Sequence, residues 1–233
     1  KGGAKYARTN VYHLDFSRLQ EPGRYRLYVE GVGCSYAFDV ADDVWERGFR
    51  TSMFGLLHHR SGVALGPPLT GYVRPRAMHP ADGVKVYPIP VTRLEGEASA
   101  VNAVAGQIAA SGKLPEPMEN AWGGYMDAGD WDRRSNHLWG TYLLLELYEL
   151  FPERLANIEL RLPENEMGGP LPGVLDEVAW NLDFFHRLQE PDGGVRGGIE
   201  STTHPRTGEC SWQESLFLGC FAPDPTSSYQ LAA

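Results

Sequence analysis

The chain has 233 residues, of which 42% are hydrophobic and 22% charged, and its formal net charge is −9. This composition is typical of a globular protein and excludes a largely disordered chain. The acidic balance, without any run rich in lysine or arginine, argues against nucleic acid as a partner. The sequence also lacks a run of about 18 apolar residues, so we expect no membrane span.

Residues 1–40 alternate between apolar and polar side chains with period two. The pattern is clearest at 12–16, 25–29 and 36–40, and turn residues at Pro22 and Gly31 separate these stretches. The alternation predicts three antiparallel strands with one buried face. Three strands are too few for a sandwich, which indicates the last part of a larger β-domain.

The hydrophobic period changes at Asp42, a candidate helix N-cap. Apolar side chains then recur at helical spacing: Trp45, Phe49, Met53 and Leu56. A switch from period two to helical period marks a change of architecture. We therefore expect one domain over residues 1–41 and a second over 42–233.

The second domain alternates loops with predicted helices. Residues 62–95 are rich in glycine and proline and predict an ordered loop. The Ala-rich segment 97–111 predicts a weaker helix, and apolar spacing predicts stronger ones at 138–148, at 172–189 and from 225 onward. Helices joined by long loops usually carry their function in the loops.

One loop, GGYMDAGDWDRR at 123–134, crowds three carboxylates together. Asp127, Asp130 and Asp132 repel one another, so the arrangement costs stability unless a cation, hydrogen bonds or a chemical role offsets the repulsion. Small residues between the first two permit a tight turn, and we expect the N-terminus of the following helix to favour ionised carboxylates. Two carboxylates held this way can bind and deprotonate a water, as the base of an inverting glycosidase must.

Two plainer explanations compete with catalysis for this segment. An Asp at a helix start is more often a cap than a catalytic group. A calcium loop of the EF-hand type needs regularly alternating ligands and a later bidentate Glu, which the segment lacks. Three carboxylates beside paired glycines exceed what capping needs, so catalysis is the better interpretation.

The segment resembles the signature of family 9 glycoside hydrolases, the inverting endoglucanase family, whose members carry Gly-Gly-aromatic-x-Asp-Ala-Gly-Asp. LLLELYELFP and VLDEVAWNLDFFHRLQEPDGGV are similar to the family's first conserved helices, and CSWQES with APDPTSSYQLAA resembles the segment around its cleft aromatic. VYHLDFSRLQEPGRYRLYVEG and YAFDV resemble the last strands of the immunoglobulin-like domain that precedes many of these enzymes. The resemblance implies a mostly α fold, a partial six-hairpin (α/α)6 toroid preceded by the last strands of an immunoglobulin-like β-sandwich.

Carried over by position, the resemblance implies that Asp130 is the catalytic base and that Asp127 helps to hold the water. The family's general acid is a distant Glu, and since no segment here matches its surroundings, we expect it on sequence outside this chain. The implied substrate is a β-1,4-linked glycan such as cellulose, and the implied location is secreted or periplasmic. Two alternatives stay open: a non-catalytic carbohydrate-binding or scaffold relative, and a relative of the exo-glucosaminidase type.

Aromatic side chains are candidates for sugar contacts, because an aromatic face stacks on the apolar face of a pyranose. Trp212 is the strongest candidate, since residues 211–215 match the family's cleft segment. We add Trp131, Tyr125 as part of the cleft floor, and His204. Core packing for a Trp, and a solvated loop for His204, are the competing interpretations.

Some relatives with the immunoglobulin-like domain bind structural zinc through two Cys and two His. At the positions of those cysteines this chain has Ser61 and Met78, while His79 remains. A site without its thiolates is a poor zinc site, so we expect no metal and no cofactor, and interpret His79 as a surface or cap residue. Glu177 is interpreted as a structural carboxylate paired with an Arg.

Overall fold

A computed structural model describes residues 2–4, 9–95, 116–127, 133–201, 208–213 and 215–233. The chain divides into two compact units, Lys1–Phe49 and Arg50–Ala233. The division falls within helix α1 (Val44–His59), a few residues after the boundary that the change of hydrophobic period predicts.

The described residues of the N-terminal unit form three short antiparallel strand pairs. The strands are β1 (Gly2–Ala4), β2 (Thr9–Val11), β3 (Gly23–Tyr25), β4 (Tyr28–Val29), β5 (Gly33–Cys34) and β6 (Phe38–Val40). β1 pairs with β2, β3 with β6 and β4 with β5. The predicted pairing of 25–29 with 36–40 is confirmed only in part. Tyr25 lies opposite Phe38, but Tyr28 and Val29 pair with Cys34 and Gly33.

The predicted strand at 12–16 is wrong. β2 ends at Val11, and near the other end of the predicted strand the Oδ1 atom of Asp15 accepts a hydrogen bond from the backbone N–H of Ser17 at 3.0 Å, which forms a local turn. The predicted buried face is also not covered within this unit, since Tyr12 is 68% exposed and Tyr36 is 97% exposed. Phe16 is the partial exception, because its ring lies 5.2 Å from that of Phe38.

The second unit contains the predicted helices. Besides the rest of α1 they are α2 (Leu138–Leu150), α3 (Pro152–Ala156), α4 (Gly173–Arg187) and α5 (Pro225–Ala232). The predictions from 42, at 138–148, at 172–189 and from 225 are confirmed, and α3 adds a short helix. The predicted helix at 97–111 lies outside the described residues. None of the described helices is long and apolar enough to cross a membrane.

The second unit also contains a four-stranded sheet that the sequence pattern does not predict. Its strands are β7 (Val86–Thr92), β8 (Arg133–Arg134), β9 (Gly198–Ser201) and β10 (Leu218–Ala222). Their order is β7-β10-β9-β8, with β10 parallel to β7 and the other neighbours antiparallel. The loop prediction for 62–95 is therefore wrong over β7. Pro88 and Pro90 look like strand breakers in the sequence, but β7 lies at the sheet edge, where a missing backbone N–H is tolerated.

The main hydrophobic core joins α4 to the sheet. Phe184 and Phe185 at the C-terminal part of α4 are 0% and 1% exposed, and their rings meet at 4.8 Å. Ile199 of β9 and Cys220 of β10 belong to the same cluster. The C-terminal part of α4 is thereby fixed by buried packing, which makes it a rigid support for the neighbouring loop.

Candidate active site

The two glycines that open the signature segment allow it to lie directly on α4. Gly123 and Gly124 have φ angles of 99° and 71°, which are unfavourable for residues with a side chain. A Cβ atom on Gly123 would lie 2.6 Å from Nη2 of Arg187, and one on Gly124 would lie 2.6 Å from Cδ1 of Phe184. The backbone conformation thus favours glycine at both positions, and at Gly124 the close approach of the Phe184 ring favours it further.

The backbone of the segment is also tied to the end of α1. Arg60 and Tyr125 form an isolated antiparallel bridge. The N–H of Ser61 donates to the carbonyl of Gly124 at 2.8 Å, and the N–H of Met126 donates to the carbonyl of His59 at 2.8 Å. Residues on both sides of Tyr125 are therefore held by main-chain hydrogen bonds to the chain that leaves α1.

Helix α4 contributes side-chain hydrogen bonds to the same segment. The indole Nε1–H of Trp180 donates to the carbonyl of Gly124 at 3.1 Å. The hydroxyl of Tyr125 lies 2.6 Å from Oε1 of Glu177 and 2.9 Å from the carbonyl oxygen of the same residue. Burial, reinforced by the charge of Glu177, raises the pKa of Tyr125 well above 10.0. The phenol therefore stays protonated and acts as a hydrogen-bond donor.

Glu177 is held in turn by a buried arginine, which confirms its structural interpretation. Nε and Nη2 of Arg60 each lie 3.1 Å from one oxygen of Glu177, a bidentate arrangement. Nη1 of Arg60 contacts both oxygens of Glu166 at 2.7 and 2.9 Å, and its guanidinium carbon lies 4.6 Å from the centre of the Trp180 ring. Burial by itself lowers the pKa of Arg60, but the charges and hydrogen bonds of the two carboxylates outweigh burial and leave that pKa raised.

On its C-terminal side the signature continues into the sheet. β8 pairs with β9, and the guanidinium of Arg134 forms an ion pair with Glu200. A 3-10 turn at Ser135–His137 follows, and α2 begins only at Leu138. The expectation that a helix N-terminus directly follows the carboxylates is therefore wrong, because a strand and a turn intervene.

The predicted site residues are distributed as follows. Asp127 is exposed at the end of the described segment, two positions after the buried Tyr125. Trp212 lies in a 3-10 turn (Ser211–Gln213) and is 40% exposed. Asp130, Trp131 and His204 lie outside the described residues.

Tyr125 is placed differently from the other sequence candidates. Its side chain is 8% exposed, and its hydroxyl is directed to Glu177. This placement supports a role in holding the segment more than a role in direct sugar contact. The sequence contains no local signal for this network, because Arg60 and Glu177 are 117 positions apart.

The segment that corresponds in position to the zinc site of some relatives forms other contacts in this chain. Nδ1 of His79 accepts the N–H of Ala81 at 3.1 Å and caps a 3-10 helix (Pro80–Asp82), so the interpretation of His79 as a cap residue is confirmed. The His79 ring also lies 4.5 Å from that of Trp122. Burial, followed by the charge of Arg76, lowers the pKa of His79. Within the described residues, no group of three or more His, Cys, Asp or Glu side chains is arranged to hold a metal ion.

Comparison with known proteins extends the local resemblance to most of the chain. Endoglucanase D of Acetivibrio thermocellus is 29% identical over 189 residues, which are 80% of this chain and 26% of that protein. The xyloglucan-specific endo-beta-1,4-glucanase BoGH9A of Bacteroides ovatus is 28% identical over 184 residues, which are 78% of this chain and 28% of that protein. No protein-family model matches the chain.

The fold leads to the same group of proteins. The crystal structure of a metagenome-derived glycoside hydrolase family 9 endoglucanase matches with a TM-score of 0.67 and 26% identity, over 93% of this chain and 35% of that one. The chain spans between 26% and 35% of the length of these three proteins. In sequence and in fold, the chain is therefore similar to family 9 glycoside hydrolases over that part of their length.

Proposed function

We propose that the chain carries one half of the active site of an inverting β-1,4-glycan hydrolase. In this proposal Asp130 deprotonates the attacking water and Asp127 helps to hold it. A glutamic acid from sequence outside this chain protonates the leaving oxygen. Inversion requires a separate base and acid, because water attacks one face of the sugar while the acid acts at the other.

The observation that carries the proposal is the anchoring of the segment that ends in Asp127. Gly123 and Gly124 lie against α4, and main-chain hydrogen bonds tie the segment to the end of α1. A rigid scaffold that presents an exposed carboxylate is what general-base catalysis needs, since the attacking water must be oriented as well as deprotonated.

The substrate class follows from the relatives. Their names specify endoglucanase activity and, for BoGH9A, xyloglucan, so we propose a β-1,4-glucan or a related β-glycan. The half-exposed indole of Trp212 is the proposed sugar platform among the described residues, with Trp131 and His204 as further candidates from the sequence. Because a polysaccharide does not cross a membrane, we place the enzyme outside the cytoplasm.

Substitution of the two aspartates in the complete protein tests the proposal. For Asp130→Asn we expect kcat on a cello-oligosaccharide to fall about 10²- to 10⁴-fold, the usual contribution of a general base, and for Asp127→Asn a smaller fall. Asp192→Asn is the matched control, because this exposed carboxylate accepts the N–H of Gly194, and an Asn oxygen can accept the same bond. Asp130→Asn with wild-type turnover would refute the assignment.

Product analysis separates the proposal from its alternatives. NMR of fresh hydrolysate should show the anomer opposite to that of the substrate, and a retained anomer would exclude inversion. Binding without any turnover would favour the non-catalytic relative. Turnover restricted to terminal glucosaminides would favour the exo-glucosaminidase type.

A further inference from the structure

We propose that Tyr125 is a positioning residue for the carboxylate of Asp127, acting through the buried pair of Glu177 and Arg60. The inference deepens the proposed function and rests on it. Tyr125 itself touches neither sugar nor water in this proposal. Its hydroxyl fixes the backbone two residues before the exposed carboxylate.

The first step is the direction of the Tyr125 hydroxyl bond. A phenol has one proton to donate, and the shorter of its two contacts, at 2.6 Å, is to Oε1 of Glu177. The side chain is 8% exposed, so water competes little for that proton. The hydroxyl therefore ties the segment to one defined oxygen atom on α4.

The second step is that this oxygen atom is itself held by hydrogen bonds. Both carboxylate oxygens of Glu177 accept from the Arg60 guanidinium, a planar group that fixes the plane of the carboxylate. Arg60 is 0% exposed, and its third nitrogen is bound by Glu166. The guanidinium also packs over the ring of Trp180, whose indole N–H holds the carbonyl of Gly124.

The third step is that stability alone does not account for this cluster. A buried ion pair contributes little net stability, because the cost of removing both charges from water largely cancels their attraction. What the cluster does provide is a fixed direction for the Tyr125 hydroxyl, and catalytic groups must be held to within about 0.5 Å of the productive geometry. Asp127 is the exposed carboxylate at the end of the segment that is held in this way.

The test is a double-mutant cycle in the complete enzyme with a soluble cello-oligosaccharide. Tyr125→Phe removes only the hydroxyl, and we expect kcat to fall about 10-fold, within the range known for small misplacements of catalytic groups, while KM stays within about twofold. In an Asp127→Asn background the same change should alter the remaining kcat less than about twofold, because the group it positions is gone. Tyr36→Phe, at a residue 97% exposed in the other compact unit, is the control and should leave kcat unchanged.

A merely structural role predicts a different pattern. Tyr125→Phe would then lower kcat by the same factor with and without Asp127, or would raise KM alone, and either result overturns the inference. A measurement of unfolding free energy in all four variants separates folding from catalysis, since the loss caused by Tyr125→Phe should be the same in both backgrounds. If the wild-type enzyme does not hydrolyse the glycan, the proposed function fails and the inference with it. If the wild-type enzyme hydrolyses the glycan but the substitutions of Tyr125 and Asp127 affect kcat independently, only this inference fails.

Discussion

Two separate physical reasons disfavour a side chain at position 124, which is occupied by Gly124. Its φ of 71° disfavours any residue with a Cβ atom, and the space that this atom needs is already occupied by the ring of Phe184. The dipeptide Gly123-Gly124 therefore has two roles. The sequence indicates its role in a turn, but it does not indicate its role in packing. The positive φ reflects the tight turn, whereas contact with α4 depends on the tertiary fold.

Gly124→Ala tests the packing contribution. We expect a loss of unfolding free energy of roughly 2–4 kcal/mol, because the strained backbone and the clash with Phe184 add together. Gly83→Ala is the matched control: its φ is 84°, yet no atom lies within 4 Å of the added carbon. The control should lose only about 1–2 kcal/mol. Equal losses in urea denaturation would show that the contact with Phe184 contributes nothing.

At the scale of elements, the ion cluster links the end of α1 with α4. Arg60 is fully buried between Glu177, which is 1% exposed, and Glu166, which is 23% exposed. Glu177 and Glu166 together accept hydrogen bonds from all three nitrogen atoms of the Arg60 guanidinium. Removal of Glu177, the more buried carboxylate, would leave the buried charge of Arg60 paired only with the partly exposed Glu166.

Glu177→Ala should therefore destabilise the protein strongly. We expect a loss of about 3–5 kcal/mol of unfolding free energy, as is usual when one partner of a buried ion pair is deleted. Asp82→Ala removes a partner from the exposed pair of Arg76 and Asp82, where both side chains are about 40% exposed, and should leave the stability close to that of the wild type. Chemical denaturation of the two variants measures their unfolding free energies. Similar losses in both would contradict a special role for the burial of the pair of Arg60 and Glu177.

At the scale of the whole molecule, the chain corresponds to 26% of Endoglucanase D. Inverting hydrolysis needs a base and an acid on opposite faces of the sugar ring, roughly 6.5–9.5 Å apart. In the proposed function the base lies in this chain and the acid lies on sequence outside it. The chain is therefore expected to provide half of the chemistry.

We accordingly expect the 233-residue chain by itself to release no reducing sugar from a soluble β-glucan. The complete reading frame should release it, and with inverted configuration. A reducing-end assay on both proteins at equal concentration makes the comparison. Turnover by the 233-residue chain at a rate comparable to the complete protein would mean that a carboxylate within it serves as the acid.

The amino-acid pattern alone was enough to locate the longer described helices and to suggest the proposed class of chemistry. Apolar spacing located α1, α2, α4 and α5, because the hydrophobic period of an amphipathic segment can be recognised without knowing which elements it packs against. The short strands of the sheet have no such period, and two prolines concealed β7, so the sheet was missed.

How the signature segment is held became visible in the fold alone. The pattern of Asp127, Asp130 and the paired glycines is local and can be recognised in the sequence. The bond from Tyr125 to Glu177, and from Glu177 to Arg60, joins residues 52 and 117 positions apart. No local pattern encodes contacts over such distances, since they arise where the chain that leaves α1 meets α4 in the folded protein.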